Sequence, residues 1–389
     1  MKIGIEGLKM PHAKKRGALA SLAHVKDMGV DGVFFSSTLD MSPTLDKGEL
    51  AELRAEADRL GMYLEAGLGK INPYASAEAP ELRAIGDGDI VEGFRRIMEA
   101  SAAIGCYELW IATGNFKSQY PGRLANDRFR TDVTWDEQLL AMERLLLKLA
   151  PMAKAYGVHM NMETHDEITS FEIIRLIEKV GADVMGIVFD TANGLQRGEH
   201  PVYAAKRVAP FVRQTHIKDA YVAHAPGGLD FQTRPVGKGI VDFKTILPIV
   251  CADKPQLNLT IENAQSTEDK PRARNPRQCI QIDDPIWRAA HPDLTKEELS
   301  AYLDLIAGFE KRVASGAVPD WAAYESANYG YPTYETQNFG YSETVKFVRN
   351  AGFFLHGLCA ELGLPVEGSA KAYWPENAAS TDSKELRSP

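Results

Sequence analysis

Short apolar runs alternate with longer segments of helical periodicity over residues 1–265. The runs have the length and character of buried strands, and the segments between them repeat apolar residues three or four positions apart. The predicted strands cover residues 2–7, 32–35, 62–67 and 107–112, followed by four strands that end at Glu163, Asp190, His216 and Glu262. Eight successive strand and helix units predict an α/β fold of the (β/α)8 TIM barrel type.

Polar residues mark where several of the predicted helices begin. A side-chain oxygen followed three residues later by glutamate has the form of a capping box, in which each side chain accepts a hydrogen bond from the other residue's backbone N–H. His200 precedes Pro201, and proline is tolerated at a first helical position because its missing N–H needs no partner there. The capping pairs are Asp46 and Glu49, Thr134 and Glu137, Thr169 and Glu172, and Thr295 and Glu298.

Two segments exceed a minimal barrel. Residues 264–291, after strand eight, form a long loop with a basic cluster from Lys270 to Arg277, and loops of this length are usually functional or disordered. An aromatic-rich connection and a helix over 345–362 follow. We therefore divide the chain into a catalytic barrel at 1–315 and a C-terminal extension with extra helices at 316–389, whose tail is expected to be disordered. A homo-oligomer formed through the added C-terminal elements is compatible with this division.

Charge and composition exclude several classes of partner. The formal net charge of −9 argues against nucleic acid, which requires a phosphate-neutralising surface. No apolar run reaches the roughly 18 residues of a membrane span, and the first residues read as a strand rather than a signal peptide. Four scattered cysteines without metal-ligand spacing are typical of reduced thiols. We therefore expect a cytoplasmic protein that binds neither membranes nor nucleic acids.

Four potential metal ligands occupy the exits of four successive strands. The intervals from Glu163 to Asp190 and from Asp190 to His216 are each close to the roughly 30 residues of one strand–helix unit. The interval from His216 to Glu262 is longer and is interpreted as one unit with an extended loop. Because the carboxyl ends of barrel strands share one face, these side chains should point into the same site.

The chain resembles the xylose isomerase-like TIM barrel superfamily, usually called the sugar phosphate isomerase/epimerase family. The resemblance rests on the segments METHDEITSFEIIRLIEKVG, VFDTANGLQRGEHPVYAAKRVAPFVRQTHIKDA, RPVGKGIVDF and LTIEN, and it covers roughly residues 1–265. It implies that one divalent metal ion is bound by the four strand-end residues, Glu163, Asp190, His216 and Glu262.

Three carboxylates and one imidazole form a hard ligand set, so we expect Mn²⁺, with Mg²⁺ and Co²⁺ as alternatives. A metal ion of this kind can chelate a sugar's carbonyl and adjacent hydroxyl and stabilise an enediolate. Glu163 and Glu262, on opposite sides of the site, are then the expected catalytic pair that removes and returns a proton. The expected activity is that of an isomerase or epimerase on a ketose or modified sugar.

Further residues near these strand ends are candidates for contact with a carbohydrate substrate. They are His165, Lys218, Asp219 and Arg234, although each also has a structural interpretation, such as a surface ion pair for Lys218 and Asp219. Trp110 is expected to pack in the core. The Lys270–Arg277 cluster is interpreted mainly as a solvated loop, with a lid over an anionic group as the minor alternative.

Three other functions fit the same sequence less well. A metal-dependent lyase, a decarboxylase or dehydratase of an oxo-sugar or oxo-sugar acid, is the main alternative, because an enediolate also serves elimination and decarboxylation. A DNA-repair endonuclease would need more histidines, and none lies at the exits of strands two and three. A non-catalytic sugar-binding barrel is the fourth hypothesis. Product analysis separates the first two, since only a lyase changes the mass of its substrate.

Overall fold

Eight parallel strands close into a barrel, as predicted. The computed structural model describes residues 1–10, 12–75, 79–114, 133–262, 278–324 and 341–373. Around the barrel the strands follow the order β1-β10-β7-β6-β5-β4-β3-β2, which joins the first strand to the last. The strands are β1 (Ile3–Glu6), β2 (Gly32–Phe34), β3 (Tyr63–Lys70), β4 (Glu108–Ala112), β5 (His159–Glu163), β6 (Met185–Asp190), β7 (Val212–Ile217), β8 (Asp219–Ala225), β9 (Gly228–Arg234), β10 (Leu259–Ile261) and β11 (Gln278–Ile280).

The helices begin where the capping residues predict. Thr134 and Thr169 each take part in a complete capping box with Glu137 and Glu172, which fixes the start of the helices that follow β4 and β5. Gly157 ends the longest of these with a φ of 66°, a conformation that glycine adopts without strain. The helices are α1 (Ala13–Lys26), α2 (Lys47–Arg59), α3 (Pro80–Ile85), α4 (Ile90–Ala103), α5 (Trp135–Tyr156), α6 (Ser170–Val180), α7 (Pro201–Val208), α8 (Phe243–Cys251), α9 (Pro285–Ala289), α10 (Lys296–Ala314) and α11 (Tyr341–Leu362).

The segment between β7 and α8 is a β-hairpin, and its interpretation as an extended loop was wrong. Strands β8 and β9 pair antiparallel from Asp219 opposite Arg234 to Ala225 opposite Gly228. β11 adds to the free side of β9, so that a three-stranded sheet stands beside the barrel. Apolar and polar residues alternate along β9, and a two-residue turn at 226–227 joins it to β8, which is the usual sequence pattern of a hairpin. The hairpin starts directly after the barrel strand that carries His216.

The C-terminal helix packs against the barrel. Phe354 of α11 meets Phe243 of α8 with ring centroids 6.0 Å apart, and the backbone N–H of Glu367 donates to Met1 O at 2.8 Å. Within the predicted loop at 264–291, the described part contains β11 and α9 rather than loop alone. The Lys270–Arg277 cluster, most of the aromatic connection and the predicted disordered tail lie outside the described residues. The division at residue 315 stays a prediction.

The described helices include none with the combined length and apolar character of a membrane span. Most buried apolar residues form one continuous core between the barrel and its helices. A second, small cluster lies apart from this core and consists of Phe34, Trp110, Ala112 and Val188. The Phe34 ring packs 4.7 Å from the ring of His216, so this cluster forms an apolar wall beside the predicted ligands.

Candidate metal centre and its surroundings

The four predicted ligands converge at the carboxyl ends of their strands. Glu163 and Asp190 end β5 and β6, His216 lies near the end of β7, and Glu262 follows β10. The pairing of β6 with β7 sets Asp190 directly opposite His216, so these residues stand at one level. All four are buried, and one ligand atom from each lies within 4.8 Å of the other three.

Two threonines clamp the strand ends that carry these residues. Thr164 Oγ1 accepts from the backbone N–H of Asp190 at 2.9 Å and donates to its carbonyl at 3.2 Å. Thr191 Oγ1 makes the same pair of bonds with Lys218, accepting from N–H at 2.9 Å and donating to the carbonyl at 2.5 Å. Each hydroxyl thus replaces a backbone partner where the sheet ladder ends. The clamps hold β5, β6 and β7 together at the level of the site.

Hydrogen bonds orient the carboxylates of Glu163 and Asp190. Trp110 Nε1 donates to Glu163 Oε2 at 2.7 Å, and Asn193 Nδ2 donates to Glu163 Oε1 at 3.1 Å. Asp190 Oδ1 accepts from the backbone N–H groups of Ala192 and Asn193 at 2.8 and 2.7 Å. Asp190 therefore has one oxygen held by the backbone, while its other oxygen faces the site.

The ligand set fits a divalent cation. Asp190 Oδ2, His216 Nδ1 and Glu262 Oε2 are buried atoms that make no well-aligned hydrogen bond, and their close neighbours are the charged groups of Lys218 and Glu163. Ligands opposite each other on a Mg²⁺-sized ion, bound at about 2.1 Å, are about 4.2 Å apart. The observed spread of 4.8 Å therefore requires only a small contraction. Carboxylate oxygens with one imidazole suit Mn²⁺, Mg²⁺ or Co²⁺.

Two buried lysines partly neutralise this acidic site. Lys9 Nζ lies 2.6 Å from Glu6 Oε2 and also pairs with Glu262 Oε1. Lys218 Nζ lies 2.8 Å from Glu262 Oε2 and 3.2 Å from Asp190 Oδ2. With Glu163, the site has four carboxylates against two ammonium groups, which leaves two negative charges when His216 is neutral, the form in which an imidazole binds metal. A divalent cation would balance them.

Glu163 and His216 form an ion pair despite their burial. Burial alone would raise the pKa of Glu163, but the positive charge of His216 and the hydrogen bond from it lower this pKa to about 2. Burial would lower the pKa of His216, whereas the Glu163 carboxylate raises it to about 9. His216 Nδ1 lies 3.3 Å from Glu163 Oε1. A proton on this nitrogen and a metal ion would compete for the same site.

A second polar cluster lies beside the metal-ligand group. His165 Nδ1 pairs with Glu167 Oε2, which also accepts from Thr113 Oγ1 at 3.3 Å. On its other side, His165 Nε2 is 3.4 Å from Lys70 Nζ, and this ammonium group lies 5.2 Å from the centroid of the Trp110 ring. Trp110 thus connects the two clusters, because its N–H donates to Glu163.

The remaining predicted substrate contacts differ in their placement. Lys218 lies among the metal-ligand carboxylates, as described above. The Asp219 carboxylate accepts backbone N–H groups from Ala220, Gly237, Gly239 and Val241 at 2.7–3.0 Å. An added Cβ at Gly239 would lie 2.2 Å from Asp219 Oδ1, so the loop wraps this carboxylate closely.

Arg234, the last residue of hairpin strand β9, is buried. Its guanidinium lies 4.8 and 4.1 Å from the ring centroids of Tyr221 and Tyr324, and it donates to the carbonyls of Pro319 and Asp320 at 3.0 and 3.2 Å. These contacts attach the hairpin to the segment after α10. Substrate contact by Asp219 or Arg234 stays a prediction.

Sequence reasoning missed several residues around the site. Trp110 was expected to serve only core packing, yet its indole N–H bonds to Glu163. Lys9 and Lys70 were not singled out, although each closely follows or ends a barrel strand. Position at a strand exit was the available signal, and among the lysines it had been applied only to Lys218.

Comparison with known proteins places these observations in a family. The sequence model for the xylose isomerase-like TIM barrel matches residues 22–279. The uncharacterised protein YihM of Escherichia coli (strain K12) is 35% identical over 104 residues, which are 26% of this chain and 32% of that protein. The 3-oxo-isoapionate decarboxylase of Pectobacterium atrosepticum is 22% identical over 129 residues, 33% of this chain and 46% of that protein. The chain therefore matches less than half the length of either relative.

A solved structure supports the fold independently. The structure of L-ribulose 3-epimerase superposes with a TM-score of 0.50 at 20% identity and covers 81% of this chain and 97% of that chain. At this identity the likeness concerns the fold alone. Since the family model spans well over half of the chain and the closed barrel agrees with it, the protein belongs to the xylose isomerase-like TIM barrel family.

Proposed function

We propose that the protein is a divalent-metal-dependent sugar isomerase or epimerase that acts through an enediolate on a ketose or modified sugar. The observation that supports this most is the buried group of Glu163, Asp190, His216 and Glu262, whose ligand atoms lie within 4.8 Å of one another. Family membership agrees with the proposal. When bound, a divalent ion, for which we propose Mn²⁺ ahead of Mg²⁺ and Co²⁺, would supply the charge that stabilises negative substrate oxygens.

Glu163 and Glu262 are the proposed catalytic residues. They reach the site from β5 and β10, which lie on different sides of the barrel mouth. A proton removed from a carbon by one glutamate and returned to the same carbon by the other would invert that centre. A single glutamate acting at two neighbouring carbons would instead move the carbonyl group. Trp110 holds Glu163 Oε2 at 2.7 Å and so fixes the direction from which this carboxylate approaches.

We assign the neighbouring polar residues to substrate contact and positioning. Lys218 and His165 have polar atoms at the mouth and are proposed to bind substrate oxygens. Asp219 and Arg234 are proposed to position Lys218 by holding the start of the hairpin. Asp219 directly follows Lys218, and Arg234 lies opposite Asp219 in the β8–β9 pair. They would keep Lys218 in place.

A lyase, acting as a decarboxylase or dehydratase of an oxo-sugar or oxo-sugar acid, is the second candidate. Its support is the similarity to 3-oxo-isoapionate decarboxylase, which covers 33% of this chain. The same ligand group would serve both reactions, since loss of carbon dioxide beside a carbonyl also leaves an enolate to be stabilised. The two candidates differ in whether the carbon skeleton survives.

The test begins with metal analysis of the purified full chain. Wild-type protein should retain about one divalent ion, and Asp190→Ala should lose it. Asp183→Ala is the matched control, because the Asp183 side chain is 61% exposed and pairs with Lys154 on the surface. Undiminished metal content in Asp190→Ala would contradict the proposed site.

The metal-loaded protein is then incubated with ketoses and oxo-sugar acids in deuterated water. Deuterium entering a carbon next to the carbonyl, with the skeleton unchanged, is the result expected of an isomerase or epimerase. Loss of carbon dioxide or water from an oxo acid would replace that assignment with the lyase. Absence of exchange and of mass loss over both panels, with metal bound, would refute both.

A further inference from the structure

Lys70 differs from the other two lysines at the barrel mouth. Lys9 and Lys218 each pair with two buried carboxylates, so their charges are already balanced inside the protein. Lys70 Nζ has no carboxylate oxygen within 4.0 Å in the part of the chain that the structure describes. Its hydrogen-bonding contact there is His165 Nε2 at 3.4 Å. An ammonium group has three donors, so most of its bonding capacity is left for another partner.

The surroundings hold Lys70 in one place. Its ammonium lies 5.2 Å from the centroid of the Trp110 ring, within the range of a cation–π interaction. For the bond to Lys70, His165 Nε2 must act as acceptor, which places the imidazole proton on Nδ1, towards Glu167. Thr113 Oγ1 in turn donates to Glu167. The lysine is therefore positioned by the chain, and no carboxylate among the described residues neutralises it by direct contact.

Burial makes this arrangement costly without an anion from outside. Desolvation lowers the pKa of Lys70, against the raising effect of the more distant carboxylates of Glu167 and Glu163. The residue is half-buried rather than enclosed, so a ligand entering the mouth can reach it. A negative group placed beside the ammonium would form a charge-assisted hydrogen bond in a partly desolvated site, where such bonds are strong.

The same indole ring links Lys70 to the metal-ligand group. Trp110 presents its face to Lys70 and its N–H to Glu163. One small molecule lying along this ring would therefore have one end at the ligand group and the other at the ammonium. We propose that Lys70 binds the carboxylate of an oxo-sugar acid whose oxo and hydroxyl groups face Glu163, Asp190 and His216. This inference rests on the proposed function and narrows its substrate class to acids.

A carboxylate fits Lys70 better than a phosphate. Phosphates in barrels of this type are commonly held by several backbone N–H groups at a helix N-terminus. At the start of α6, the N–H groups of Thr169 and Glu172 are taken by capping-box side chains, and at α8 Asp242 caps Thr245. The one positive charge of the Lys70 ammonium matches the one negative charge of a carboxylate.

Binding of unreactive ligands tests the assignment without relying on turnover. We would measure, by calorimetry on the metal-loaded full chain, the affinity for a four-carbon aldonate and for the corresponding neutral polyol. The variant is Lys70→Met, which keeps the aliphatic stem against Trp110, and Lys238→Met is the matched control on an exposed lysine. Because one charge-assisted bond is lost, the affinity of Lys70→Met for the aldonate should fall by about 10- to 100-fold. Its affinity for the polyol should fall by less than about 2-fold. Lys70→Arg should restore part of the loss.

Several outcomes would overturn the inference. Equal weakening of aldonate and polyol in Lys70→Met would assign the lysine a structural role, and unchanged aldonate affinity would remove it from the site. A Lys70-dependent preference for a sugar phosphate over the aldonate would overturn the carboxylate. Failure of the proposed function is separate, because it is read from deuterium exchange and mass loss in the wild type. If the wild type exchanges deuterium into neutral ketoses but Lys70→Met binds the aldonate as the wild type does, the proposed function stands and only the role of Lys70 is refuted.

Discussion

Replacing Lys218 with methionine should destabilise the metal-free protein and strengthen metal binding. Lys218 Nζ lies 2.8 Å from Glu262 Oε2 and 3.2 Å from Asp190 Oδ2, and it donates to Asn193 Oδ1 at 2.8 Å. Removing one partner of a buried ion pair costs about 3–5 kcal/mol, because the remaining charge is left buried and uncompensated. In Lys218→Met the Asp190 carboxylate loses its ammonium partner, while Glu262 keeps Lys9 alone, so we expect a loss of this size in the free energy of unfolding.

A divalent cation should reverse this loss. The ammonium and the metal ion would share the carboxylates of Asp190 and Glu262, and two unit charges about 4 Å apart interact by about 4 kcal/mol at an effective dielectric of 20. Removing the ammonium therefore removes a repulsion of several kcal/mol, and we expect metal affinity to rise by at least about tenfold. Metal at 100 times its dissociation constant adds about 2.7 kcal/mol to stability.

Urea unfolding in chelator and in excess Mn²⁺ or Mg²⁺, together with metal titration by calorimetry, measures both effects. Lys244→Met is the matched control, because Lys244 pairs with Glu361 on the surface, where both side chains are more than half exposed. The control should change stability by less than about 1 kcal/mol in either condition. If Lys218→Met is as stable as wild type in chelator, or binds metal more weakly, the reasoning about shared carboxylates is wrong.

Three further substitutions probe the supports of the site. Thr164→Val removes the hydroxyl that bonds the backbone N–H and carbonyl of Asp190. It should lower the free energy of unfolding in urea by about 2 kcal/mol. A change below about 0.5 kcal/mol would mean that these two bonds are not needed for stability. Asp219→Ala leaves four backbone N–H groups without their acceptor and should cost about 3 kcal/mol, with faster amide hydrogen exchange at 237–241 as the local readout. Glu199→Ala removes the buried acceptor of the Ser170 N–H and one of the two carboxylate partners of Arg207, which keeps Glu298. It should lower the free energy of unfolding by about 2 kcal/mol without changing metal content, whereas metal loss would show that the effect spreads to the site.

The barrel and the convergence of the four candidate ligands were predictable because the signals that specify them are local. Apolar periodicity distinguishes strand from helix within a few residues, and the capping boxes at Thr134 and Thr169 form as their spacing predicts. Parallel strands with helices between them bring their carboxyl ends to one face of the barrel. The convergence of Asp190 and His216 follows from that rule, and their direct pairing in the register of β6 and β7 needed the structure.

The hairpin was missed because one signal was given too little weight. The residues Pro226-Gly227-Gly228 separate two alternating runs, a pattern that favours a hairpin. The barrel expectation, which allows only helices and loops between strands, outweighed it. Asp219 and Arg234, whose contact with substrate stays a prediction, lie on this hairpin and bond to loop backbone and to the segment after α10.

The positive residues of the mouth show which part of a site sequence reasoning cannot reach. Lys9, Lys70 and Lys218 all lie within a few residues of a barrel strand's end, and nothing in their sequence positions separates them. The difference arises from distances across the barrel. Two of them meet carboxylates contributed by β10 and β6, whereas the contacts of the third in the described part of the chain are with His165 and an indole face. A lysine neutralised by carboxylates of the protein adjusts the charge of the ligand group, whereas a half-buried lysine without a carboxylate partner among the described residues can bind a negative group of a ligand. The chemistry expected of each therefore depends on which strands are neighbours, which is a property of the closed barrel rather than of any segment.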